Sequence, residues 1–265
     1  MERALDRPFV FQWEALPLER LSEWVSRRGV HGRHLTLAQF VMRQGYIVDR
    51  HSHPNEQITL VLRGALRLDF ETGESYVLRD GEFIIVPPDL VHWGVVLEDT
   101  VDFDAFSPPR WDWFEASAET YYTTGNREGR DSALLLNPSP PSAAGTSALC
   151  VYAWERLPAE RIAVGIERRS VRGQNQVFSR LVLEKGAVYE ERSGAERALW
   201  VVEGMVRCVS GGGDPVTVRA GGCALLPKGG ALRLEALEAA ICVEAVAHPS
   251  EHIDRIGDSI ACPSC

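Results

Sequence analysis

The chain repeats itself, so whatever fold it adopts must be one that two similar units can share. Phe9 to Gly45 reads FVFQWEALPLERLSEWVSRRGVHGRHLTLAQFVMRQG, and Cys150 to Gly186 reads CVYAWERLPAERIAVGIERRSVRGQNQVFSRLVLEKG. Trp13, Glu14, Leu16, Pro17, Glu19, Arg20, Arg27, Arg28, Val30 and Gly32 recur at an offset of 141. Past a one-residue deletion the offset becomes 140, pairing Gly64 with Gly204, Gly81 with Gly221 and Pro87 with Pro227. Two domains follow, each preceded by the same lead-in. The expected division is 1–122, a linker over 123–147, a second domain over 148–248 and a tail over 249–265. With 265 residues, 45% of them hydrophobic, two modest cores can be built.

Local pattern gives an all-β chain. Leu35 to Met42, Ala65 to Phe70, Phe83 to Val86 and Val101 to Phe106 read as short strands. Helix is expected only near Pro17 to Arg28 and in the tail after Pro249. Thr123 to Thr146 is rich in Pro, Ser, Gly and charge and reads as a surface linker with one apolar knot at Leu134 to Leu136.

The first unit carries residues of metal-ligand type in two places. Tyr46 to Gly64 is YIVDRHSHPNEQITLVLRG, in which His51, His53 and Gln57 share parity and would face one way on a strand. Glu56 is out of phase, which favours Gln57 as the third ligand unless a bulge at Pro54-Asn55 reverses the choice. Asp80 to Glu98 is DGEFIIVPPDLVHWGVVLE, a strand, a proline turn and a second strand bearing His92. Three imidazoles converging on one point would hold a first-row divalent ion such as Fe, Mn, Ni, Zn or Cu.

The spacings Gly45-x5-His51-x-His53-x3-Gln57-x6-Gly64 and Gly81-x5-Pro87-x-Asp89-x2-His92 resemble the two motifs of the cupin superfamily. That resemblance implies two tandem jelly-roll barrels, the first holding one metal ion with His51, His53, Gln57 and His92. Most cupins have glutamate where this chain has Gln57, and glycine where it has Asp89. Three imidazoles and an amide leave the ion's charge uncompensated, which favours an anionic ligand in the open positions.

The second unit has lost these ligands. The matching positions are Glu191 or Arg192, Ser193 or Gly194, Arg197 and Leu232, and the chain has no histidine between His92 and His248. This barrel is either a structural partner of the first or a metal-free pocket in which Arg192 or Arg197 binds an anion.

Beyond the first motifs lies VDFDAFSPPRWDWF, Val101 to Phe114. Asp104 and Phe106 share parity, and Arg110 follows a proline pair. An inward-facing Asp104 could move a proton and Arg110 could clamp a carboxylate. The same residues would also serve as a turn-capping aspartate and a surface ion pair. The pattern Asp-x-Phe-Ser-Pro-x-Arg after such a site is similar to the small cupins of pectin and alginate breakdown, which convert unsaturated monouronates to linear ketouronates. The likeness spans roughly 30 to 115 and implies Asp104, Phe106 and Arg110 as catalytic residues, with Lewis-acid-assisted isomerisation or ring opening of a small carboxylate as the reaction. Trp93 and Phe106 would wall the pocket. A dioxygenase using the same ligands, or a storage or ligand-sensing protein without turnover, are the alternatives.

A formal charge of -9 with no gathered basic stripe argues against nucleic acid. No apolar run reaches membrane-spanning length, MERALDRPFVFQWEA lacks a signal-peptide core, and six cysteines are too sparse for a disulfide scaffold, so a cytoplasmic monomer or homodimer is expected. In the tail, His248, His252, Cys262 and Cys265 offer a small zinc site, against a frayed end or a redox dithiol.

Overall fold

The computed structural model describes residues 2–3, 7–114, 149–192, 194–229 and 231–248. These form two barrels, each of one large and one small sheet. In the first, the large sheet runs in the order Glu2–Arg3, Val25–His31, Thr36–Met42, Thr100–Ser107, Glu56–Arg63, Glu82–Val86, Tyr152–Ala153, with Glu19–Arg20 also pairing Val25–His31. The small sheet is Ile47–His51, His92–Val96, Ala65–Phe70, Ser75–Arg79. The second barrel repeats this with Glu160–Ala163, Ile166–Arg172, Gln176–Leu183, Ala240–Ala247, Arg197–Glu203, Gly222–Leu226 and Phe9–Gln12 in the large sheet. Its small sheet is Val188–Glu191, Leu232–Ala236, Met205–Ser210, Val216–Arg219.

The lead-ins are exchanged. Phe9–Gln12 adds an edge strand to the second barrel beside Gly222–Leu226, and Tyr152–Ala153 adds one to the first beside Glu82–Val86. Strand pairing thus crosses the division into 1–122 and 148–248 at two places. Each lead-in buries the exposed edge of the partner's sheet.

Alternation along the strands then sorts residues between two environments. Ile58, Leu60, Phe103 and Ala105 face the other barrel, where they join Val171, Phe178, Ala198, Val243 and Ala245 in one shared core. Phe83 sits at its centre, 5.2 Å from Tyr152, 4.6 Å from Trp154 and 5.2 Å from Phe178 between ring centroids. On the opposite face of the same strands, Val61, Ile84 and Phe106 line the interior of the first barrel with Phe40, Leu66, Leu68 and Phe70. The interior of the first barrel is therefore reached by Gln57, Thr59, Asp102, Asp104 and Phe106, which alternate with the interface residues.

The helix expected near Pro17 to Arg28 is absent. Glu19–Arg20 and Val25–His31 form a hairpin instead, in which Arg27 is buried, donates to the Glu19 carboxylate at 2.8 Å and lies 4.1 Å over the Trp113 ring. β-branched Val25 and Val30 pack into different cores, as a strand's alternation requires and a helical stripe would not permit. The helices among the described residues are short 3-10 turns at Trp13–Ala15, Trp111–Phe114 and Trp154–Arg156, and none is long and apolar enough to cross a membrane. The expected linker and the tail beyond His248 lie outside the described residues.

Candidate metal centre

His51, His53 and His92 converge, with one ring nitrogen of each within 4.8 Å of the others. They arrive from three places. His51 ends Ile47–His51 and pairs directly with His92 across the small sheet. His53 lies in the crossing from the small sheet to the large one, and Gln57 is the second residue of Glu56–Arg63 in the large sheet. His51, His53 and Gln57 therefore do not share one strand, and their common parity coincides with convergence without causing it. The crossing is fixed by Asn55, whose side-chain amide donates to the carbonyls of Pro108 at 2.7 Å and Pro109 at 3.1 Å. The turn before His92 is tied in as well, since the backbone N–H of Asp89 donates to the His53 carbonyl at 2.8 Å. Asp89 takes the left-handed conformation there, with φ 62, one that aspartate tolerates better than most residues.

Each imidazole is held the same way. Nδ1 of His51 meets the Asp49 carbonyl at 2.7 Å, that of His53 the Asn55 carbonyl at 2.8 Å, and that of His92 the Leu90 carbonyl at 2.8 Å. A carbonyl can only accept, so each Nδ1 carries the proton and each Nε2 keeps its lone pair. Burial keeps the rings neutral: it lowers His51 and His53 from the usual imidazole value to about 3, with the neighbouring His92 adding to the effect at His51 and Arg110 at His53, and it lowers His92 too.

Gln57 lies beside the three histidines. Its Nε2 donates to Thr59 Oγ1 at 2.8 Å and to Asp104 Oδ2 at 3.3 Å, which turns Oε1 toward His53 Nε2 at 3.0 Å. Two acceptor atoms then oppose each other, and the buried Nε2 of His92 has no hydrogen-bond partner. A cation between these atoms would satisfy all of them, so the donors fit a first-row divalent metal. Glu56, one residue earlier, faces the second barrel.

Asp104 and Phe106 both point inward beside this set. The Asp104 Oδ1 is buried without a hydrogen-bond partner, and burial pushes its carboxyl up to about 7 against hydrogen bonds from Thr59 and Gln57 and the charge of Arg110. Phe106 packs 5.6 Å from the His53 ring and 5.3 Å from Trp113. Arg110 is buried with its guanidinium 5.2 Å over Phe106 and 4.8 Å over Trp113. Its Nε and Nη2 are gripped by both oxygens of Asp112 at 2.9 and 2.8 Å. Although burial opposes it, that pairing holds the Asp112 carboxyl below the usual range. Trp93 does not wall this pocket: it alternates with His92 and lies outside, under the Arg50 guanidinium at 5.5 Å. A cavity of about 350 Å³ opens beside His53, with Asn55, Pro108, Trp111 and Asp112 in its walls. Thr59, Asp112 and Trp113 were not anticipated from sequence, although Thr59 shares the parity of Gln57.

The second barrel resolves the ambiguous alignment. Leu232 pairs with Glu191 as His92 pairs with His51, and Arg197 pairs with Val246 as Gln57 pairs with Phe106. Arg197 is 3% exposed and ion-paired to Glu191 and, at 2.6 Å, to Glu244, the counterpart of Asp104. Its charge is neutralised internally, which disfavours at Arg197 the alternative of an anion pocket, while Arg192 is exposed. His248 donates its backbone N–H to the Asn175 carbonyl at 2.7 Å and its ring meets Arg172 at 3.3 Å, whereas His252, Cys262 and Cys265 lie outside the described residues.

Residues 39–105 match the cupin domain family. No curated protein sequence matches the chain at a significant level. Among solved structures, Lactobacillus farciminis oxalate decarboxylase in a formate complex is 13% identical, with 91% of this chain and 86% of that one covered at a TM-score of 0.69. Bacillus subtilis oxalate decarboxylase, in a structure concerned with its Mn(II) centres, is 14% identical over 89% of this chain and 76% of that one, at a TM-score of 0.67. The same enzyme at pH 4.6 is also 14% identical, over 89% and 75%, at a TM-score of 0.66. The match to the cupin domain thus covers part of the first barrel, and the likeness to these solved structures extends the two-barrel fold over most of the chain.

Proposed function

We propose that this chain is a metal-dependent cupin enzyme acting on a small carboxylate by Lewis-acid-assisted isomerisation or ring opening. One observation carries the reading: three imidazoles, each with Nδ1 tied to a carbonyl, aim Nε2 at a common point that the oxygen of Gln57 also faces. A first-row divalent ion bound there would polarise a substrate oxygen as a Lewis acid.

The chain's own residues do the rest. Asp104, with a pKa raised to about 7 and one unpartnered oxygen, can give or take a proton near neutral pH. Phe106 and Trp113, edge to face at 5.3 Å, wall the inner side of the site with apolar surface that would limit water there. Arg110 supplies positive charge next to the histidines. Its bidentate edge is held by Asp112, so a substrate carboxylate would bind there only by displacing that side chain. The resemblance to uronate-processing cupins supports a monouronate as substrate.

Decarboxylation of a small dicarboxylate is a second reading, favoured by the likeness over most of the chain to solved oxalate decarboxylases. Elemental analysis of wild type and His51→Ala, followed by turnover assays on an unsaturated monouronate and on oxalate, tests both. The expected result is near one equivalent of metal in wild type, lost in His51→Ala, with metal-dependent turnover of one substrate that Asp104→Asn abolishes. A wild-type protein that stays metal-free after loading with Mn, Fe, Ni or Zn would overturn the proposal.

A further inference from the structure

The two barrels clasp each other with a pair of matching glutamates. Glu196 accepts the backbone N–H groups of Arg33, His34 and Leu35 at 2.8, 2.9 and 2.8 Å. Glu56, its counterpart at the 140 offset, accepts those of Gln174, of Asn175 at 3.2 Å and of Gln176 at 3.1 Å. Gly32 and Gly173 open these loops, and a β-carbon on either would overlap the glutamate it faces. This part of the interface is symmetric and can be explained by assembly alone.

Among the described residues, a second set of bonds runs one way only. The Gln176 side-chain amide donates to the carbonyls of Ala105 at 3.1 Å and Glu56 at 3.3 Å, and the Asn175 amide donates to that of Ser107 at 3.2 Å. Those three carbonyls flank Gln57 and Phe106, which pair with each other across Glu56–Arg63 and Thr100–Ser107. At the matching positions of the first barrel stand Leu35 and His34, and Leu35 packs into the shared apolar core. Gln176 is fully buried and its Oε1 has no hydrogen-bond partner, so this amide sits where the repeat tolerates leucine and where an unsatisfied polar atom is costly. Assembly does not require it.

We propose that Gln176 and Asn175, on the barrel without a histidine site, are positioning residues for the metal centre of the other barrel. They pin the strand ends that present Gln57 and Phe106 to the three histidines. The proposal rests on the metal-enzyme reading above. It gives the second barrel a part in the site that its own lost ligands would not suggest.

The test is Mn²⁺ titration followed by electron paramagnetic resonance, on wild type, His51→Ala, Gln176→Leu, Asn175→Ala and Glu196→Gln. Gln176→Leu installs the residue the repeat already uses at Leu35 and should fold, with its Kd for Mn²⁺ raised roughly 10-fold and its spectrum altered, as for lost outer partners of metal ligands. Asn175→Ala, a half-buried truncation, should show a smaller shift of the same kind. Glu196→Gln weakens the symmetric clasp and should lower Tm while leaving Kd within about twofold. Wild-type Kd and spectrum in both Gln176→Leu and Asn175→Ala would overturn the proposal alone, as would a Glu196→Gln Kd that rises as far as that of Gln176→Leu. A wild type that binds neither Mn²⁺ nor, on loading, Fe²⁺, Ni²⁺ or Zn²⁺, or a His51→Ala that binds Mn²⁺ equally, would remove the metal reading and this proposal together.

Discussion

Gln57 Oε1 lies 3.0 Å from His53 Nε2, and neither atom has a proton to give the other. The His53 proton is on Nδ1, facing the Asn55 carbonyl, and the Gln57 amide hydrogens face Thr59 and Asp104. Such a contact is unfavourable until a cation lies against both lone pairs. The bonds made on the far side of the site thus turn together lone pairs that a bound cation would satisfy.

Gln57→Glu should make stability depend more steeply on metal. The new carboxylate would lose the donors now given to Thr59 and Asp104 and stand beside the Asp104 carboxyl, so the metal-free protein should melt below wild type. With a divalent ion bound, the added charge should raise affinity, and Tm should exceed that of loaded wild type. Thermal melts with EDTA and with saturating Mn²⁺ check this; equal shifts in both conditions would refute it.

The metal-free protein should lose stability in acid. The unfolded imidazoles take up protons below about 6.5, whereas folded His51 and His53 resist protonation down to about 3. The unfolded state therefore binds more protons across that window, and stability is full above 6.5 and falls as pH drops toward 3. Each histidine contributes a slope of at most about 1.4 kcal/mol per pH unit. Urea melts from pH 7.5 to 4.5 should be steeper in pH for wild type than for His51→Ala.

Much of this fold is legible in the order of residues, and the reasons can be named. The repeat of Trp13 at Trp154 and of Gly64 at Gly204 gives two like domains, and alternation marks Ala65–Phe70 without error because both faces of that strand follow period two. The exchange of Phe9–Gln12 and Tyr152–Ala153 is not legible, since an edge strand reads the same whichever sheet it joins. Pro17 to Arg28 folds as a hairpin rather than the expected helix, because the Arg27 ion pair with Glu19 across that hairpin and the stacking of Arg27 on the distant Trp113 decide its shape. At the site, the histidines and Gln57 follow from motif spacing. The partner of Arg110 does not, because Asp112 is close in sequence but its bidentate grip depends on the turn at Trp111–Phe114.

Asp89 offers a test of the turn that delivers His92. Its φ of 62 places it where most side chains clash with the following carbonyl. Asp89→Ala should therefore cost about 1 kcal/mol, Asp89→Gly should be near neutral, and Asp89→Val should be the worst of the three. Chemical denaturation gives the ranking, and Ala matching Gly would show that the turn does not depend on this conformation.

In the second barrel Arg197 does for Glu191 and Glu244 what a bound cation would do for the histidines and Gln57 of the first, and its removal should reveal the cost of one buried and one half-buried carboxylate. Arg197→Met leaves Glu244, 4% exposed, and the half-buried Glu191 facing each other without the guanidinium that pairs both. Breaking one side of such a buried network typically costs about 3–5 kcal/mol. Although burial opposes it, Arg197 holds the Glu191 carboxyl below its usual range, so that share of the penalty should shrink as pH is lowered and Glu191 protonates, the opposite of the histidine effect in the first barrel. Adding Glu191→Gln and Glu244→Gln should recover most of the loss at neutral pH, since amides carry no charge to bury. Denaturation of the single and triple variants at pH 7 and pH 5 measures both effects. A single variant as stable as wild type at pH 7 would mean that the guanidinium does not serve as the barrel's internal cation.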